Sequence, residues 1–402
     1  MRPPLRPAGT VGALAGAAIA LAPNCLPRDQ SVQVVLLGAS VITGAAAGTV
    51  VGCAVRGPRR TDTGPTVALT VVALVVYCVL VAANTMWQWA LRTAIPGMAP
   101  LGPGWVPWSL TPILVLCARS ARTQRPARRL VVAAVVMASV ASAGVAPAST
   151  GVAASAAAGQ PTVVTGTVDA RSAGPVAIHR GAQDVVARWR AAGGMSRHAV
   201  VVAVPTGSGW VDPDAVIGFR ERFGGDVVVV SLAYDHRPSW RAFVSGTGPA
   251  IALTAEVGDA LATAPAARRP ALYLYGQSLG AVGADAARRW ALTHHIPVCT
   301  TVVVGAPAGT VAQQADRRVV IVNGSDPVAR WSPSLLWAPP HRTEHTDIPR
   351  APWFPVASFV QTSVDLLGAL SFPAGHGHQY GTEQGHVPLC RRSDQIAPRA
   401  AS

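Results

Sequence analysis

The sequence predicts two unlike parts: an N-terminal α-helical transmembrane domain, then an α/β domain built on a doubly wound, mainly parallel sheet of about five or six strands. Three observations predict it. Residues 1–148 consist largely of Ala, Val, Leu, Gly and Arg, with Asp29 and Asp62 as their acids. Beyond about residue 160 the chain returns to an ordinary mixture of acids, bases and apolar side chains. Within that second part, short β-branched runs alternate with helical patterns, which is how strand-helix-strand crossovers and parallel pairing read in a sequence. These shifts place the transmembrane domain at 1–148 with about five helices, an Ala/Gly/Ser linker at 149–162 and the α/β domain at 163–402.

A helix needs about 20 apolar residues to cross the hydrocarbon of a bilayer. Residues 32–55 and 66–91 meet this comfortably and 130–148 adequately, while 8–23 and 105–118 are short. Five spans are expected, with four as the fallback. Arginine placement offers an independent check. Of the net charge of +14, 12 Arg against 2 acids give +10 over residues 1–150, and 21 Arg against 17 acids give +4 over the rest. Arg2 and Arg6, then Arg56, Arg59 and Arg60, then Arg119, Arg122, Arg125, Arg128 and Arg129 fall in alternate loops, and the other loops hold Arg28 and Arg92. Basic residues collect on the cytoplasmic side. Five spans therefore put the N-terminus inside and everything after residue 148 outside, a multi-pass cell-membrane protein with an extracytoplasmic α/β domain; four would invert it.

The stretch 130–148 also fits a signal-peptide-like segment, which exports the remainder equally. Basic clusters between apolar runs argue for a membrane and against nucleic acid as the partner. Charged residues are missing from the apolar runs, which removes the usual marks of an ion pathway or a proton relay. Cys53, Cys78 and Cys117 lie in apolar spans and read as small buried hydrophobes. Cys299 and Cys390 fall in the exported half, where pairing is chemically open to them and spacing alone leaves it undecided.

In the α/β part, residues 198–205 (HAVVVAVP) suit a strand buried on both faces. A helix follows at 213–223 with Asp212 as its cap, then a strand at 226–234 and a helix at 250–267. Strands at 271–275, 299–305 and 318–322, a helix opening near 279 and a helix at about 356–370 complete the pattern. Ligands bind such sheets at the carboxyl ends of the strands, so chemistry is expected just after them.

Residues 276–280 read GQSLG, the G-x-S-x-G pattern of a nucleophile elbow, with an apolar strand before it and a helical pattern after it. Ser278 is the candidate nucleophile; the bland alternative is a Gly-rich turn. A serine hydroxyl needs a base and an orienting acid, which follow in the chain order Ser, Asp, His. Asp326, in NGSDPVARW just past the 318–322 strand, is the candidate acid, ahead of Asp347 and Asp365; the alternative is an ordinary Ser-Asp-Pro turn. His378, in GHGHQYG, is the candidate base, with His376 as runner-up and His341, His345 and His386 below it. Spacing among these histidines makes no persuasive zinc site, so neither a metal nor a cofactor is expected. Donors for a developing oxyanion are sought at the backbone N–H of Leu279 and in the PTGSGW loop at Gly207 and Ser208, a segment that also reads as a plain strand-to-helix turn.

Taken together, the elbow, PTGSGWVDP, AYDHRPSW, GSDPVARW and GHGHQYG resemble the membrane-anchored α/β-hydrolase family of actinobacteria. The resemblance implies several membrane spans followed by an extracytoplasmic hydrolase domain. The second half is also similar to cutinase-type serine hydrolases, which implies Ser208 as the oxyanion residue. Leu279 departs from that pattern, since cutinases usually carry a polar residue after the nucleophile. The expected chemistry is carboxylic-ester hydrolysis through an acyl-enzyme, with a lipid or acylated ester of the cell envelope as substrate. Acyl transfer to another acceptor through the same acyl-enzyme, or an inactive membrane assembly or transport component, are the alternatives.

Overall fold

A computed structural model describes residues 7–56, 67–120, 163–167, 175–206, 210–233, 247–312, 317–340 and 346–390. The expected span at 130–148 lies outside them. In chain order the helices are α1 (Pro7–Ala20), α2 (Gln30–Arg56), α3 (Val67–Ala94), α4 (Trp105–Ser120), α5 (Pro175–Ala191), α6 (Pro213–Arg222), α7 (Gly248–Ala262), α8 (Leu279–Thr293), α9 (Pro327–Arg330) and α10 (Ala357–Asp365). The strands are β1 (Val163–Thr167), β2 (Ala199–Val204), β3 (Val227–Ala233), β4 (Ala271–Gln277), β5 (Val298–Val304) and β6 (Arg318–Ile321). The chain divides into two compact units. The first holds Met1–Ala154, Trp331–Arg342 and Thr346–Pro373; the second holds Ser155–Arg330, Thr343–His345 and Ala374–Ser402. Most of residues 331–373, which the composition alone assigns to the α/β domain, thus groups with the N-terminal helices.

In the first unit, Gln30–Val55 and Val71–Ala94, of 26 and 24 residues, are long and apolar enough to cross a membrane. At 1.5 Å per residue the 14-residue α1 covers about 21 Å, short of the roughly 30 Å of hydrocarbon. Glycines let α1 and α2 approach closely: a Cβ on Gly12 would land on the Gly44 carbonyl, and one on Gly16 on the Ser40 carbonyl. Such small-residue seams let two helix backbones pack in direct contact. The loop between α1 and α2 is held by side chains. Asn84 donates to the Leu21 carbonyl at 3.1 Å, Trp87 to the Asn24 carbonyl at 3.0 Å, and Gln88 accepts from the Arg28 N–H at 2.9 Å. Asp365 of α10 reaches the same loop, accepting from Arg28 Nη2 at 2.6 Å, Asn24 Nδ2 at 2.9 Å and the Cys25 N–H at 2.9 Å.

The second unit is a six-stranded sheet in the order β1-β3-β2-β4-β5-β6, parallel throughout. The fold class is therefore the expected one, apolar N-terminal helices and then a doubly wound parallel α/β domain. Every residue of β2, β3, β4 and β5 is buried, which is why these runs read as continuous apolar segments. Alternate residues of β2 divide between two cores: Val200, Val202 and Val204 pack with α5, α7 and α8, while Ala199, Val201 and Ala203 pack with α6. Strand order reverses between β2 and β4, the switch point where such sheets open a crevice. Asp212 caps α6 as its sequence signal predicts, accepting from the Asp214 N–H at 3.0 Å.

Two features fasten this unit. Cys299 and Cys390 form a disulfide, with Cα atoms 5.8 Å apart, joining β5 to the C-terminal segment. Asp285 of α8 accepts at Oδ1 from Arg288 Nε and from Arg318 Nη1, both at 3.0 Å, and also pairs with Arg289. Burial pushes the Asp285 carboxyl up, but the hydrogen bonds from Arg288 and Arg318 outweigh it and hold the group below the usual carboxylate range. Its contribution is complete at neutral pH and is lost as pH falls below about 4, through the lowered folded value. Asp285→Asn leaves the Arg318 guanidinium, whose side chain is 1% exposed, without its carboxylate and with the Ala312 carbonyl as remaining acceptor. It is expected to cost about 3 to 5 kcal/mol in chemical denaturation of the detergent-solubilised chain, as for a broken buried ion pair, and a loss under about 1 kcal/mol contradicts this.

Candidate active site

Ser278 stands between the last residue of β4 and the first of α8, with φ 56° and ψ −125°. A non-glycine residue there carries roughly 1 to 3 kcal/mol of strain, which the surrounding contacts must hold. They do so through the two flanking glycines. A Cβ on Gly276 would strike the Gly280 carbonyl, and one on Gly280 would strike the Val204 carbonyl at the end of β2. The turn closes only because both lack side chains. The Ser278 N–H donates to the Val304 carbonyl of β5 at 2.9 Å, so the serine sits beside the end of that strand.

Asp326 lies in the turn after β6 and is fully buried. Its Oδ2 accepts from His378 Nδ1 at 2.8 Å and from the Tyr380 hydroxyl at 2.6 Å, while Oδ1 accepts from the Val328 N–H at 2.8 Å. With both oxygens engaged, the carboxylate fixes Nδ1 as the protonated ring nitrogen of neutral His378 and leaves Nε2 with its lone pair. His378 Nε2 is buried and has no hydrogen-bond partner among the described residues.

Neighbouring residues at the end of β5 touch the Ser278 backbone and the His378–Asp326 pair. Gly305, the residue after Val304, has φ 52°, and a Cβ there would lie 2.8 Å from His378 Cε1 and 2.9 Å from Asp326 Oδ2. His378 and Asp326 therefore pack over the residue next to the one that anchors Ser278. The loop carrying His378 is braced by Ser325 Oγ, which accepts from the Gly377 N–H at 2.7 Å. Asn323 Nδ2 braces it as well, donating to the carbonyls of Gly377 at 3.0 Å and Gln379 at 2.9 Å.

A family model described as an alpha/beta-hydrolase family matches residues 172–319 and 306–387, more than half of the 402 residues. The chain belongs to the α/β-hydrolase family. No curated protein and no solved structure matches the chain. In this α/β-hydrolase Ser278 follows β4, Asp326 follows β6 and His378 precedes the Thr382–Gly385 turn.

The remaining candidates of the hydrolase fall as follows. Leu279 opens α8, so its N–H belongs to the first-turn donors that no carbonyl within the helix can take. Gly207 and Ser208 lie outside the described residues, as do His341 and His345. His376 is half-buried, and its carbonyl accepts from the Gln379 N–H at 3.2 Å. His386 follows the short 3-10 turn Thr382–Gly385, and Asp365 is engaged by Arg28 in the first unit.

Sequence reasoning missed Tyr380, which stood in the quoted GHGHQYG motif two residues after His378. It also missed a buried chain of side chains behind the site. Gln384 donates to Asp212 Oδ2 at 3.0 Å and accepts from the Tyr275 hydroxyl at 2.6 Å, and Gln277 Nε2 donates to the His378 carbonyl at 3.5 Å. Burial lifts the Asp212 carboxyl above the usual range against the hydrogen bonds from Gln384 and the Asp214 N–H, and it lifts the Tyr275 hydroxyl well above its own. No local pattern marks such partners, because each is set by tertiary contact.

Proposed function

We propose that the protein is a membrane-anchored serine hydrolase that cleaves carboxylic esters of cell-envelope lipids through an acyl-enzyme. The observation that carries the reading is the buried Asp326–His378 pair beside Gly305, the residue after the one that anchors the Ser278 N–H, with Nε2 left without a partner among the described residues. In this reading Ser278 Oγ attacks the ester carbonyl carbon while His378 Nε2 takes the hydroxyl proton. The imidazolium, steadied by Asp326, then returns that proton to the leaving alcohol oxygen as the carbon–oxygen bond breaks. Water repeats the sequence on the acyl-enzyme and releases the acid. The Leu279 N–H and Ser208 are the oxyanion donors of the proposal, each worth about 3 to 4 kcal/mol of transition-state stabilisation.

Two observations support an extracytoplasmic site. The Cys299–Cys390 disulfide belongs to an oxidising compartment. Asp365 meets the loop that holds Arg28, at the end of the helices opposite Arg56, so this part of the chain lies on the arginine-poor face. The substrate claim is tested with a long-chain acyl ester embedded in vesicles and a short soluble ester. Wild type is expected to hydrolyse the embedded ester and Ser278→Ala neither; activity confined to the short ester contradicts a lipid substrate.

A further inference from the structure

The tryptophans of the first unit gather at one end of its helices. Trp87 and Trp89 lie in the C-terminal half of α3, and Trp105 and Trp108 open α4. Trp331, Trp337 and Trp353 lie in the segment 331–373, whose α10 is pinned to the loop joining α1 to α2. That loop, the end of α3 and the start of α4 share one end of the helical layer, as the Asn84–Leu21 bond and the approach of Gln30 to Gly104 require. Trp87, Trp89, Trp105 and Trp108 thus lie at that end of the helices, and tryptophan collects where a bilayer meets water.

The segment is firmly seated on its inner side. Ala357, Gln361 and Asp365 of α10 are buried at successive four-residue intervals; Gln361 donates to the Ile19 carbonyl at 2.6 Å and accepts from Arg28 Nη1 at 2.7 Å. Around α10 the segment leaves large apolar side chains exposed among the described residues. Trp337 is 67% exposed, Phe354 47%, Val356 45% and Leu367 82%. The first three are held together, because the Val356 N–H donates to the Leu336 carbonyl at 3.2 Å and Trp353 Nε1 to the Leu335 carbonyl at 3.1 Å. Large apolar side chains left open on an element hydrogen-bonded to the loop at the end of long apolar helices fit the boundary between headgroups and acyl chains.

We propose that residues 331–340 and 346–373 form a lipid-interface element, in which Trp337, Phe354, Val356 and Leu367 insert into the leaflet on the side of the Arg28 loop. The inference rests on reading α2 and α3 as membrane-spanning, and its catalytic consequence rests on the esterase reading of Ser278. Four residues separate Asp326 from Trp331 and four separate Pro373 from His378, so the element is spliced between the acid and the base. Lipid acyl esters of that leaflet are the substrate class it would present.

The test places p-benzoylphenylalanine at Trp337, Phe354 or Leu367 of the full-length protein in phospholipid nanodiscs. Val75 of α3, 56% exposed, serves as the membrane control and exposed Arg268 as the aqueous one. Irradiation is expected to give phospholipid adducts at the three sites and at Val75 and none at Arg268. Absence of lipid adducts at the three sites, or cross-links to protein alone, overturns the proposal, and absence at Val75 does so too. In the second arm, Leu367→Glu is expected to lower hydrolysis of a vesicle-embedded long-chain ester about tenfold and leave a soluble short ester within twofold. An equal loss on both esters contradicts a role in lipid presentation. Lipid adducts without hydrolysis of any ester would retire the esterase reading and leave the interface element standing.

Discussion

Asp326→Asn is expected to lower kcat/KM for ester hydrolysis by about 10⁴-fold while leaving the melting temperature close to that of wild type. Oδ1 accepts from the Val328 N–H, so the amide oxygen stays on that side and the amide nitrogen turns toward His378. A donor there forces Nδ1 to accept and moves the ring proton to Nε2. The histidine is then present, in place and in the wrong tautomer to take a proton from Ser278. Tyr380 donates to Oδ2 at 2.6 Å, so in this orientation its hydroxyl must turn to accept from the amide nitrogen. Steady-state kinetics of the purified full-length variant, read beside its thermal melt, check this. A loss below about tenfold in a folded variant contradicts the orienting role of Asp326.

His378→Ala is expected to remove activity by about 10⁶-fold, and His376→Ala to leave it within about threefold. The two histidines share a glycine-rich loop and differ in what their surroundings ask of them. His378 is 6% exposed, bonded at Nδ1 to a fully buried carboxylate and, among the described residues, without a partner at Nε2. A buried, unsatisfied nitrogen costs free energy, and a fold keeps one where a substrate group will meet it. His376 is half-buried and braces the loop through its carbonyl, a contact that alanine keeps. Kinetics of both variants on one soluble ester decide between them; full activity in His378→Ala with loss in His376→Ala would reverse the assignment.

Much of the hydrolase fold was legible because burial on both faces writes continuous apolar runs into β2, β3, β4 and β5. The elbow was legible for a steric reason, since Gly276 and Gly280 each face a carbonyl that no side chain could share. Edge strand β1 escaped notice. Its five residues, VVTGT, carry a glycine and no alternation, and only pairing with β3 makes them a strand. Helix α5 did carry a signal, with Ala182, Val185, Val186 and Trp189 spaced as one buried stripe. The grouping of 331–373 with the N-terminal helices was illegible, because a carboxylate at 365 gives no sign that its guanidinium lies at 28. Tyr380 and Gln384 were hidden for the same reason: their roles come from partners more than 50 residues away in the chain.

The central claim is an activated Ser278 facing outward, and labelling with a membrane-impermeant fluorophosphonate tests it most directly. Intact cells carrying wild type, Ser278→Ala or His378→Ala would be labelled beside their lysates. The expected result is labelling of wild type on intact cells, lost in Ser278→Ala and strongly reduced in His378→Ala. Labelling that survives Ser278→Ala, or is missing from both cells and lysate, contradicts the nucleophile, and labelling confined to lysate contradicts the outward orientation.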